Sequence, residues 1–118
     1  MKKRKLVYSS IALRKRKAIK KDIKSKYGKT IADRFSSNVT KRLQYLKTFP
    51  ESGVSMREQY DLDCDYSMVY IEHNYFIYYY TDEVVLVLEI FNEREDFMYQ
   101  MFGIVTTSQD TIDFWGED

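Results

Sequence analysis

Several residue types are scarce in this chain, and each scarcity excludes something. The single cysteine, Cys64, rules out an internal disulfide and argues against a thiolate zinc site. The single histidine, His73, argues equally against a histidine-rich metal centre. One proline and four glycines in 118 residues argue against a collagen-like, linker-like or loop-rich chain. No apolar run approaches the roughly 20 residues needed to cross a bilayer, so no membrane association is expected. The N-terminus is basic, but no apolar stretch of about 7–15 residues follows it, and it does not read as a secretory signal. The expectation is a cytoplasmic protein with no metal and no cofactor.

Aromatic residues make up 16% of the chain and hydrophobic residues 44%, enough to build one packed core in a chain of one domain's length. The net charge of +1 conceals a segregation of charge. Residues 1–29 hold thirteen Lys/Arg and one acid, Asp22, a balance of +12. Residues 30–118 hold six Lys/Arg and seventeen acids, a balance of −11. The two halves either neutralise each other in the fold or leave a basic face for phosphates or an acidic partner.

No repeat or linker divides the chain. Lys5 to Ser9 is short and β-prone, and Ser10 is a candidate N-cap for a first helix. In that helix Ala12, Ile19, Ile23 and Tyr27 make an apolar stripe at helical spacing, and Gly28 ends it. Thr30 and Asp33 fit a capping box, followed by a second stripe of Ile31, Phe35, Val39, Leu43 and Leu46. Phe49-Pro50 closes this helix. Two helices joined by about two residues run antiparallel and need a layer to cover. Residues 51–65 read as a loop, with room for a short strand. Three strands follow, near 66–71, 75–80 and 84–91, with turns at His73-Asn74 and Asp82-Glu83. The order βααβββ predicts an α+β domain, a helical hairpin packed on a twisted antiparallel sheet that also takes in the first strand. Ile19, Ile23, Phe35, Val39, Leu43, Ile77, Val85 and Val87 are expected in one core. Residues near 94–102 suit a short C-terminal helix. The domain is drawn over 1–104, leaving 105–118 as an acidic tail without Lys or Arg.

The chain resembles the RelE/ParE superfamily of bacterial type II toxin–antitoxin toxins. The resemblance is carried by Val7 to Ala12, the helical hairpin, Leu46 to Gly53, Asn74 to Tyr79, Glu89-Ile90-Phe91 and Asn92 to Phe97. It implies a toxin neutralised by a cognate antitoxin. RelE-type members cut mRNA, usually on the ribosome, whereas ParE-type members poison DNA gyrase. The favoured expectation is a ribosome-associated mRNA interferase. The alternatives are a non-enzymatic gyrase inhibitor and a catalytically silent relative that only binds its antitoxin.

Metal-free RNA cleavage needs an activated 2′-hydroxyl, a stabilised phosphate and a protonated leaving oxygen. Beyond Lys47 the only cations are Arg57 and Arg94, and the resemblance implies functional charge near both. Tyr99 follows Arg94 as in the Arg-then-Tyr ending of RelE-type nucleases. Arg94, Tyr99 and Arg57 are therefore the candidate catalytic residues. Each arginine also has a plain structural reading, Arg94 as an ion pair with Glu93, Glu95 or Asp96, and Arg57 as a solvated loop charge. One departure stands out: RelE-type enzymes commonly place an arginine where this chain has Phe76. His73 is a candidate base or a surface turn residue. Tyr78 and Tyr80 should share one sheet face, and Tyr75 and Tyr79 the other. On the first helix Arg16, Lys17, Lys20 and Lys24 are the candidate RNA-binding residues.

Overall fold

The computed structural model describes residues 3–96 and 100–101. Strand β1 (Lys5–Tyr8) leads into helix α1 (Ser10–Tyr27). The cap is Ser9, not Ser10: its hydroxyl accepts the Ala12 N–H at 3.0 Å and donates to the Leu88 carbonyl at 2.6 Å. One residue thus starts the helix and fastens it to the sheet. Helix α1 ends at Gly28, whose φ of 94° suits a residue without a Cβ. Helix α2 (Lys29–Leu46) starts at the next residue. The expected capping box is absent because α2 begins too early for Thr30 to cap it, and Asp33 pairs with Lys29 at 2.8 Å instead.

Helix α2 buries Ala32, Phe35, Val39, Leu43 and Leu46. Ile31, expected to open this stripe, is exposed, and Ala32 takes the buried place. A turn of 3-10 helix (Pro50–Ser52), the two-residue strand β2 (Val54–Ser55) and helix α3 (Met56–Tyr60) occupy part of the region expected as loop. Strands β3 (Ser67–Ile71), β4 (Asn74–Tyr80) and β5 (Val84–Asn92) form the antiparallel meander.

The sheet runs in the order β1-β5-β4-β3-β2. It is mixed, because β1 pairs parallel with β5, Leu6 opposite Val85. The helical hairpin and strands β2 to β4 lie between these two strands in the chain, a connection long enough for parallel pairing. Between Ile77 and Tyr78 the register steps from Glu89 to Val87, leaving Leu88 as an extra residue in β5. That bulge lets Val85, Val87 and Ile90 all reach the core under the helices.

Both faces of the sheet are covered. Under the hairpin lie Phe35, Val39, Leu43, Val85 and Val87 with Phe76 and Tyr78, and Ile19 and Ile23 pack against them half-buried. Ile77 does not join this core. It faces the other layer, with Met56, Met68 and Phe91, because successive side chains on β4 alternate and Phe76 and Tyr78 already point to the helices. Leu62, Cys64, Tyr75 and Met101 flank this second cluster. Tyr78 and Tyr80 share the helical face and Tyr75 takes the opposite one, as alternation requires.

Gln100 and Met101 are helical, whereas Phe97, Met98, Tyr99 and the tail 105–118 lie outside the described residues. Among the described residues no helix is long and apolar enough to cross a membrane. Nor do three or more His, Cys, Asp or Glu side chains there gather in a way that would hold a metal ion.

Candidate functional site

A cavity of about 590 Å³ opens between the second half of α1, the β3–β4 turn and the residues after β5. Ile19, Ile23 and Ile90 form part of its wall, and Asp22, Glu72, His73, Glu93, Arg94 and Glu95 contribute polar groups. The turn is Glu72-His73, one residue earlier than expected, flanked by the Ile71–Asn74 pair. Both turn residues have positive φ, 49° and 68°. This is the left-handed pattern of a type I′ hairpin, usually filled by Asn and Gly.

Neighbouring groups hold the strained turn. Asn38 of α2 donates to the Glu72 carboxylate, and the Asn74 side chain donates to the Glu72 carbonyl at 2.7 Å. The Glu93 backbone N–H donates to the His73 carbonyl at 2.8 Å. Glu93 then receives the Tyr70 hydroxyl at 2.5 Å, with His73 Nδ1 at 2.9 Å from its other oxygen. The hydrogen bond from Tyr70 holds the Glu93 carboxyl below its ordinary value, with help from His73. In return the bond to Glu93 pushes the Tyr70 hydroxyl up to about 12. Sequence reading missed the roles of Tyr70 and Glu93 in this cluster. The only local signal was a tight turn without glycine.

A carboxylate-oriented imidazole is an arrangement suited to a base. The surrounding charge opposes phosphodiester chemistry, however. The cavity wall carries Asp22, Glu72, Glu93 and Glu95 against Lys15 and Arg94. Lys15 is already bound to Glu89 at 2.7 Å and to the Ile90 carbonyl at 3.1 Å. Arg94 is exposed, and its backbone N–H donates to the Asn92 side chain at 3.0 Å.

Arg57 lies elsewhere. Register places Ser67 opposite Tyr78 at one end of the sheet and Asn74 opposite Asn92 at the other. Arg94 follows Asn92, whereas Arg57 shares a separate cavity with Ser67, Tyr79 and Tyr80. Its guanidinium is bound by Asp65 at 3.0 Å and Asp63 at 3.1 Å, which raise its pKa further. The fold does not bring Arg57 and Arg94 together, and Tyr99 lies outside the described residues. Phe76 is fully buried beneath the helices.

The basic helix divides into two sets. Arg16 is a tie within the fold: it donates to the Tyr8 hydroxyl, the Ser36 carbonyl at 3.1 Å and the Thr40 hydroxyl at 2.8 Å. Lys20 is half-buried and lies 3.8 Å from Asp33, and Lys26 pairs with Asp22 at 3.2 Å. Lys17 and Lys24 are exposed, and their side chains make no hydrogen bond or ion pair among the described residues; Arg14 and Lys21 share that state. Of the four expected contacts, Lys17 and Lys24 therefore face solvent with unpaired side chains, Arg16 is tied into the fold, and Lys20 stands at the edge of ion-pair distance from Asp33.

A family model described as the ParE toxin of type II toxin-antitoxin system, parDE, matches residues 6–97. Among curated proteins no sequence matches. A chain of the structure of the chromosomal ParDE TA system from P. aeruginosa has a similar fold, with a TM-score of 0.62 and 12% sequence identity. The match covers 78% of this chain and 98% of that one. The order β1-α1-α2 followed by the meander, with the family match over most of the chain's length, leads to one conclusion: the chain belongs to the ParE toxin family of type II toxin–antitoxin systems.

Proposed function

We propose that this protein is the toxin of a type II pair and that it acts by binding DNA gyrase, without cutting RNA. Membership of the family implies a cognate antitoxin as its protein partner. The separation of the two candidate catalytic arginines carries the non-enzymatic reading. Metal-free cleavage requires cationic and acid–base groups converging on one phosphate. Arg57 and Arg94 line different cavities, and Arg57 is neutralised by two carboxylates. Phe76, where RelE-type enzymes commonly carry arginine, is core. The acid-rich wall around Arg94 would repel a phosphodiester. Family membership supports gyrase as the target, and such a target sets the site of action in the cytoplasm.

Two assays run on the purified chain test this reading. Gyrase should lose ATP-dependent supercoiling of relaxed plasmid as the chain is added, while programmed ribosomes release no cut mRNA. Cleaved mRNA that disappears with Arg94→Ala, together with unimpaired supercoiling, would overturn the reading and reinstate the interferase.

A further inference from the structure

We infer that the outer face of α1 is a docking surface for the phosphate backbone of duplex DNA. The inference extends the gyrase reading, on which its biological setting rests, but the surface is argued from the chain's own cations. Pairing within the fold leaves Arg14, Lys17, Lys21 and Lys24 over. All four are exposed, and none of their side chains has a hydrogen bond or ion pair among the described residues. At about 100° per residue their 3-4-3 spacing confines them to an arc of roughly 80°. That arc lies opposite Ala12, Ile19 and Ile23, which pack on the core. The only acid on the helix, Asp22, falls outside the arc and is held by Lys26.

Like charges three and four residues apart destabilise a helix. Among the described residues the fold offsets this cost only at Lys24, through the attraction of Asp33, and a polyanion would remove the rest. From Arg14 to Lys24 the helix rises about 15 Å, the axial length of roughly four phosphates of one DNA strand. The row carries no aromatic ring on which an unpaired base could stack, and no Asn or Gln to read a base edge. A straight, rigid line of cations without such groups fits a regular duplex backbone and predicts binding without sequence preference.

The test is fluorescence anisotropy of a labelled 24-base-pair DNA duplex with the full chain, over 25–200 mM KCl. Four phosphate contacts predict a slope of about −3.6 in log K against log[KCl], or about a 150-fold loss between 50 and 200 mM. Replacing Arg14, Lys17, Lys21 and Lys24 together by Gln should flatten the slope toward zero while circular dichroism stays parental and melting stays at or above the parental temperature, since like-charge repulsion is relieved. Replacing the exposed α2 cations Arg34 and Lys41 by Gln should leave most of it. No duplex binding at 25 mM KCl, or an unchanged slope in the quadruple variant, would overturn the inference. So would tenfold tighter binding to duplex RNA of the same sequence. Displacement of the DNA by poly-L-glutamate at equal charge concentration would assign the face to an acidic protein instead. Supercoiling is a separate readout. A chain that binds duplex through this row yet spares gyrase removes the gyrase reading and leaves the surface standing. A chain that inhibits gyrase without binding duplex does the reverse.

Discussion

Gly53 and Tyr78 form a coupled pair whose energetics follow from one crowded contact. The Tyr78 ring is fully buried, and its hydroxyl donates to the Pro50 carbonyl at 2.5 Å. Burial also pushes this hydroxyl up to about 12, so it is a neutral donor at physiological pH. A Cβ on Gly53 would lie 2.3 Å from that hydroxyl oxygen and 2.8 Å from the Met68 carbonyl oxygen. The Gly53 φ of −82° suits alanine, so the cost of Gly53→Ala is space rather than backbone strain. Overpacking of this kind costs about 1–3 kcal/mol, partly offset by the roughly 0.4–1 kcal/mol gained from a less flexible unfolded chain. Tyr78→Phe leaves the buried Pro50 carbonyl without its donor, for about 1–3 kcal/mol. In the double variant the shortest clash has gone. Its cost should therefore fall below the sum of the single costs by about 1 kcal/mol or more. Urea unfolding of the four proteins measures the cycle. Additivity within about 0.5 kcal/mol would show that the hydroxyl is not what excludes a side chain at Gly53.

Three further outcomes are expected. Arg16→Gln should cost about 1–3 kcal/mol in urea unfolding, because charge-assisted bonds between β1, α1 and α2 are lost, whereas Lys17→Gln should stay within about 0.5 kcal/mol; equal costs would refute the division of the basic helix. The Tyr70–Glu93–His73 cluster should depend on pH from both sides. Glu93 has a lowered folded pKa, so its contribution is present above its ordinary 4.5 and is lost as pH falls through the folded value. Tyr70 has a raised one, so its contribution is full below 10 and is lost as pH rises toward about 12. Melting curves of Glu93→Gln and the parent should converge in acid, and parallel curves from pH 3 to 7 would contradict the linkage. Phe76→Arg, which installs the residue common in RelE-type enzymes, should abolish folding, since an unpaired buried charge costs about 3–5 kcal/mol; a soluble variant with parental melting would show that the site can open to solvent.

Local chemistry made much of the architecture legible. The i, i+4 stripe of Phe35, Val39 and Leu43 marks α2, and Gly28 marks the break between the helices. Runs of β-branched and aromatic residues separated by tight turns give the meander. Each of these signals is carried within a few residues, by helical pitch, strand alternation or a conformation that glycine tolerates best. Ser9 rather than Ser10 as cap, and Glu72-His73 rather than His73-Asn74 as turn, are one-residue shifts decided by distant partners: the Leu88 carbonyl for Ser9, Asn38 and Glu93 for the turn.

What remained hidden is long-range. Alternation along β4 says that Ile77 opposes Phe76 and Tyr78, but not which side meets the helices; packing of Met56, Met68 and Phe91 on the far face decides that. The parallel partner of β1 lies almost eighty residues away, and no turn between them sets its register. Eight cations on α1 look alike in sequence. Arg16 becomes structural because Ser36 and Thr40 of α2 stand beside it, and the side chains of Arg14, Lys17, Lys21 and Lys24 make no ion pair among the described residues because α1 turns that arc to solvent. The two candidate arginines are equally ambiguous as sequence, since charge type and spacing carry no distance between residues 57 and 94. Sheet register sends them to opposite ends. Pitch and turn chemistry act through neighbours in the chain and can be read there, whereas convergence of side chains on one point depends on how the layers meet in space.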